Sequence, residues 1–168
     1  MKIRTMVITA LLTGFCSVTA AYAANMSAQD FVTKAGIGSK FEVQSSRLAS
    51  ERAQNSDVKA FARRMEEDHN KLAQQLQETL NKSTSKAKIV DKLDAKHEKL
   101  LDKLKGLSGG AFDKEYIAMQ IGAHKEAVDL FTRYSKHGSD EAFKDFATDK
   151  LPILEDHLTH VKQIKSKL

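Results

Sequence analysis

Four polar side chains sit on stripes of this sequence that should otherwise be apolar. His69 lies four residues after Met65, seven after Ala62, three before Leu72 and seven before Leu76. A helical repeat therefore sets it in the middle of a core-facing stripe. His124 has the same setting, with Ile117 seven before it and Ala127, Val128 and Phe131 three, four and seven after it. His157 follows Ile153 and Leu154 and precedes Val161 and Ile164 at the same kind of spacing. Glu42 stands among small residues, Ala35, Gly38, Ser45 and Ala49, which leave room beside a carboxylate. Imidazole with carboxylate suits zinc, copper or iron. Glu42, His69, His124 and His157 are thus candidate ligands for one transition-metal ion. A lone histidine on an apolar stripe is also an ordinary core residue once its ring is bonded. The competing explanation is a closed hydrogen-bond network of the same groups with Tyr116. Burying four such groups without partners would cost on the order of several kcal/mol.

The elements that must position these groups are helices. The chain has one proline, Pro152, and its long windows follow a helical period. A first helix is predicted from the cap at Ser27 to about Asn55. Asn55-Ser56-Asp57 then turns and caps a second that ends near Asn81. A third runs from about Phe112 to Lys136. His137-Gly138-Ser139-Asp140 ends it and caps a fourth, in which Pro152 should kink or locally widen the helix. Between the two hairpins lie residues 82–111, with a polar helix predicted from Lys88 to Lys105, long enough at about 27 Å to travel much of the bundle. Two short-turn hairpins joined by one long crossover define an all-α, ferritin-like four-helix bundle with an extra helix in the crossover. Counted at about 1.5 Å per residue from the turns, Glu42, His69, His124 and His157 fall near mid-height, within about one helical turn of each other.

That architecture permits a sharper test of the chemistry. Di-iron sites in such bundles take a Glu from each of two helices and a Glu-x-x-His pair from each of the other two. Glu66 with His69 makes one such pair, but Leu154 stands where the Glu before His157 should be, and His124 replaces a helix Glu. A single, imidazole-rich metal site fits better than a di-iron ferroxidase. His97, His137 and His160 look peripheral, with only His160 near enough to His157 to join it. Ser45-Ser46 and Ser83-Thr84-Ser85 have no base and orienting acid that can be placed beside them, which disfavours a hydrolase.

The chain begins with Lys2 and Arg4, continues through the apolar stretch Met6 to Ala20, and reaches the small-x-small pattern Ala21-Tyr22-Ala23. Residues 1–23 are expected to be a signal peptide cut before Ala24, and residues 24–168 one bundle domain. The stretch is shorter than the roughly 20 residues a spanning helix needs, so no membrane anchor is expected in the mature chain. Phe15 before Cys16 is wrong for lipidation. Cys16 is the single cysteine, so the mature chain would carry no thiol, and any metal would rest on His and carboxylates. A periplasmic location follows, with outer-membrane association or release from the cell as the alternatives. The formal charge of +5 falls to +3 without Lys2 and Arg4, since residues 1–23 hold no acid. With bases and acids interspersed, as in Arg63-Arg64-Met65-Glu66-Glu67-Asp68, no nucleic-acid partner is expected.

At Phe61-Ala62 with Met65 and Asp68-His69, at Phe112-Asp113 with Tyr116 and His124, and at Phe146-Ala147 with Leu151-Pro152 and His157-Leu158, the sequence resembles the exported bacterial domain-of-unknown-function family 4142. The resemblance covers essentially the whole mature chain, with the three blocks in the family's order. It implies a ferritin-like fold and a periplasmic or outer-membrane-associated location, and it carries over no catalytic residue. Two functions then compete. One is a periplasmic metal-binding bundle, protective under metal or oxidant stress; the other is a non-enzymatic structural or protein-interaction module whose buried His and Glu only knit the core.

Overall fold

The computed structural model describes residues 26–168, and the expected signal peptide lies outside them. Five helices follow in order: α1 (Ala28–Arg52), α2 (Ser56–Lys82), α3 (Ala95–Lys105), α4 (Gly109–His137) and α5 (Glu141–Lys165). The described residues contain no strand beyond an isolated bridge between Met26 and Gly138. None of their helices is long and apolar enough to cross a membrane.

Three of the expected caps form as the sequence suggests. The Ser27 hydroxyl accepts the Asp30 N–H, the Asn55 side chain those of Asp57 and Val58, and the Asp140 carboxylate that of Phe143. Each satisfies amides that the first helical turn leaves without a partner.

α1 packs along α2 and α4 along α5; the two hairpins then meet through α1 against α4 and α2 against α5. Polar contacts at the two ends fix the directions. The Asp113 carboxylate at the start of α4 accepts the backbone N–H of Asn55 at 2.8 Å, beside the α1–α2 turn. At the other end, the Ala28 N–H donates to Ser139 Oγ at 3.1 Å, and the Ser83 hydroxyl donates to Asp140 at 2.7 Å. α1 and α4 are therefore antiparallel, as are α2 and α5, and only a connection running the full height can join α2 to α4. This is the expected crossover bundle.

The crossover differs in detail from expectation. Its helix begins at Ala95 rather than Lys88 and has 11 residues, capped by the Asp94 side chain on the His97 N–H. The residues before it are held by α1 instead. The Gln29 amide donates to the Lys88 carbonyl at 2.9 Å and accepts the Lys88 N–H at 2.9 Å, and Lys40 reaches Asp91 at 2.6 Å. α4 begins at Gly109, three residues before Phe112, and Gly109 takes a φ of 61°, which glycine adopts without steric cost. α5 is helical without a break through Pro152.

The apolar core has two parts. Near the α1–α2 turn, Phe41, Phe61, Met65, Phe112 and Tyr116 pack with Leu101 and Leu104 of α3. Near the α4–α5 turn, Phe31, Leu72, Phe131, Tyr134, Phe143 and Leu154 form a second cluster, with Phe31 stacked on Tyr134 at a centroid distance of 4.1 Å. Each buried aromatic contributes about 1.5–3 kcal/mol by leaving water. Between the clusters lies a polar layer: Ser39, Glu42, Ser45, Ser46, His69, Gln120, His124 and His157 are all buried.

Candidate metal centre

His69 of α2, His124 of α4 and His157 of α5 meet in this layer, each offering a ring nitrogen such that all three atoms lie within 4.8 Å of one another. Their rings are 5.3 to 5.8 Å apart, centroid to centroid. Glu42 of α1 lies alongside, its Oε1 3.8 Å from His124 Nδ1, and so borders the three histidines without entering their mutual cluster.

The partners of the rings determine where their lone pairs face. His124 Nδ1 is 2.9 Å from the Gln120 carbonyl, which can only accept, so Nδ1 carries the proton and Nε2 a lone pair. His157 Nε2 is 2.9 Å from Asp68 Oδ2, so that nitrogen donates and Nδ1 keeps its lone pair. His124 Nε2 and His157 Nδ1 face each other at 3.4 Å. Two neutral rings in these tautomers cannot bond to each other there. Both nitrogens of buried His69, and both oxygens of Glu42, have no hydrogen-bond partner. In a tetrahedral site with metal–nitrogen bonds of about 2.0–2.1 Å, ligand nitrogens lie roughly 3.3–3.4 Å apart, so the facing pair has the spacing that an ion would require.

Electrostatics keep the imidazoles in the form that ligates. Burial, and then the neighbouring His124 and His157, hold His69 well below the usual histidine range. Burial lowers His124 to about 4 against the opposing bond to Gln120. It also lowers His157, with Asp68 pulling the other way. Burial pushes the Glu42 carboxyl up to about 8, only partly opposed by the nearby Gln120 amide, with which no bond of good geometry forms.

The four residues expected from sequence thus converge, three of them tightly. The Glu-x-x-His pair does not, because Glu66 turns outward to Arg47 at 2.8 Å. His160 packs edge-on against Phe61 rather than joining His157. Asp68 and Gln120, which orient the two rings as outer partners of metal-binding histidines usually do, were not among the expected site residues. The Gln120 signal was present four residues before His124, since a helical histidine can bond the carbonyl one turn back. Asp68 could be found only by knowing that α5 lies beside it, where Arg64 bonds both Asp68 at 3.3 Å and Asp156 at 2.7 Å.

A cavity of about 360 Å³ opens between α1 and α4, with Glu42, His69 and His124 at its buried end and exposed Lys34, Lys96 and Glu126 at its mouth.

Two solved structures share the fold. One is a DUF305 fragment from Deinococcus radiodurans, with a TM-score of 0.71 and 13% identity over 83% of this chain and 95% of that one. The other is CopM in its Cu(II)-bound form, with a TM-score of 0.71 and 16% identity over 85% of this chain and 98% of that one. No curated protein matches the sequence. A family model matches residues 15–164, and the chain belongs to that family, DUF4142, a domain of unknown function.

Proposed function

We propose that this chain is an exported helical-bundle protein that holds one transition-metal ion on His69, His124 and His157, with Glu42 as the adjoining carboxylate. The observation that carries this reading is the convergence of lone pairs. His124 Nε2 and His157 Nδ1 face each other across 3.4 Å with their protons committed elsewhere, and His69 has no partner for either nitrogen. An ion among them would satisfy all three rings, while Gln120 and Asp68 hold two of them in place.

Copper leads zinc and iron as the metal, because a nitrogen site binds Cu(II) more tightly than either in the general affinity order and the CopM structure of like fold was solved with Cu(II). Glu42 supplies the nearest carboxyl, 3.8 Å from His124 Nδ1, and a bound cation would favour its ionised form. The N-terminal sequence pattern supports export to the periplasm, where a site without thiolates is not exposed to disulfide formation. Binding and sequestering a metal ion under stress is the role that fits.

The interaction-module reading requires the buried groups to satisfy one another. The orphaned atoms of His69 and Glu42 argue against a closed network. Elemental analysis of tag-free protein purified from the periplasm tests the proposal. One equivalent of copper, zinc or iron per chain is expected. Protein that stays metal-free after incubation with each ion would overturn it.

A further inference from the structure

The cavity between α1 and α4 ends on two of the three histidines and on the carboxylate that has no partner. Three nitrogen ligands leave a position open on a four-coordinate ion, the arrangement that lets a site take an outside ligand. At about 360 Å³, the cavity is far larger than one water and within the roughly 300–1,000 Å³ range of small-molecule pockets. Ala35, Ala123, Ala127 and Leu130 give it apolar walls. Gly38 also lines it, and a Cβ built at Gly38 would meet nothing within 4 Å. The helix thus accepts a residue of low helix propensity where space is left. Both Glu42 oxygens lack a hydrogen-bond partner, so this end of the cavity offers an acceptor to a ligand that carries an N–H.

We propose, building on the metal reading above, that the cavity is a ligand pocket of the metal centre, taking a small neutral nitrogen heterocycle of the imidazole class. Its lone-pair nitrogen fills the fourth position on the ion, and its N–H donates to Glu42. The ring lies between the alanine-lined walls of α1 and α4.

Electron paramagnetic resonance of the tag-free, Cu(II)-loaded mature chain tests this. If copper does not load at all, the metal reading fails before any heterocycle is added, and this inference falls with it. With copper loaded, imidazole should raise the number of coupled nitrogens from three to four with the copper still on the protein. 1-Methylimidazole, which lacks the N–H, should bind about tenfold more weakly, and azide more weakly than imidazole. Gly38→Leu fills the pocket while favouring the helix. It should keep copper and melt no lower than wild type, yet need at least about tenfold more imidazole for half-saturation, equivalent to 1.4 kcal/mol. Ala123→Leu, on the opposite wall, should act the same way. A spectrum indifferent to imidazole, copper stripped from the chain by it, tighter binding of azide or 1-methylimidazole, or an unaltered response in both leucine variants would each overturn the proposal.

Discussion

Two regions of the bundle's interior follow different rules. In the cluster by the α4–α5 turn, Phe31 packs its ring on those of Phe131, Tyr134, Phe143 and Phe146 at centroid distances of 4.1 to 6.3 Å, and the Tyr134 hydroxyl is the one buried polar side-chain atom there without a partner among the described residues. Roughly two to three helical turns away, the polar layer buries three imidazoles and a carboxylate and leaves several of their atoms without partners. The first region adds apolar burial to the fold; the second carries the desolvation cost of its unpartnered groups, which the proposed ion would offset. Buried polar atoms without partners are uncommon in folded proteins, and each calls for an explanation.

The largest effect should come from the apolar side. Phe31→Ala should lose roughly 3–5 kcal/mol in denaturant unfolding, by the same amount with and without metal. A loss that changed with metal would blur the distinction between the two regions. The polar layer should behave in the opposite sense. His69→Leu in metal-free protein removes two orphaned nitrogens at similar volume and should gain roughly 1–3 kcal/mol, the usual cost of such a group. If it destabilises instead, His69 is satisfied in a way the present geometry does not show. Asp68→Ala should leave the fold intact and weaken metal binding by about 10- to 100-fold, because His157 loses the carboxylate that orients it. Metal titration followed by spectroscopy reads this directly.

pH should separate the regions further. The three histidines bind fewer protons folded than unfolded, so their contribution to stability is lost as pH falls below the ordinary histidine value of 6.5. Glu42 binds more protons folded than unfolded between 4.5 and about 8, so its contribution is lost as pH rises through that window. Three groups outweigh one between pH 4.5 and 6.5, and only Glu42 acts above 6.5. Metal-free protein should therefore be most stable near pH 6.5 and fall off more steeply on the acid side. Replacing His69, His124 and His157 together by Leu should flatten the acid limb, and a limb that survived would belong to other groups. The smallest effect concerns the crossover, where residues 83–94 should exchange their amide hydrogens before α2 does, since they are tethered to α1 mainly through Gln29 and Lys40 at an exposed face.

Much of this was legible in the sequence because it is local or periodic. The caps at Ser27, Asn55 and Asp140 and the stripes around His69, His124 and His157 are set by near neighbours. Counting residues from two turns was enough to place the four polar groups at one height. What escaped was set by neighbouring helices. Lys88-Ile89-Val90 reads as the start of a helix, yet Gln29 binds both backbone polar groups of Lys88 and ties it to α1 outside any helix. Glu66 has the right spacing from His69 to be a ligand, but faces Arg47 on α1. Asp68, one residue from the stripe, becomes part of the site only because α5 brings His157 to it.

The central claim is that the polar layer is a metal site, and thermal unfolding with and without metal tests it most directly. Wild type should melt higher in the presence of copper, zinc or iron and lower again when a chelator is added, with a gain that grows with the ratio of free metal to dissociation constant. Single alanine variants of His69, His124 and His157 should lose most of that gain, and Glu42→Ala part of it. A wild-type melt unmoved by all three metals and by chelator would contradict the claim and leave the buried histidines as core residues of a protein-interaction module.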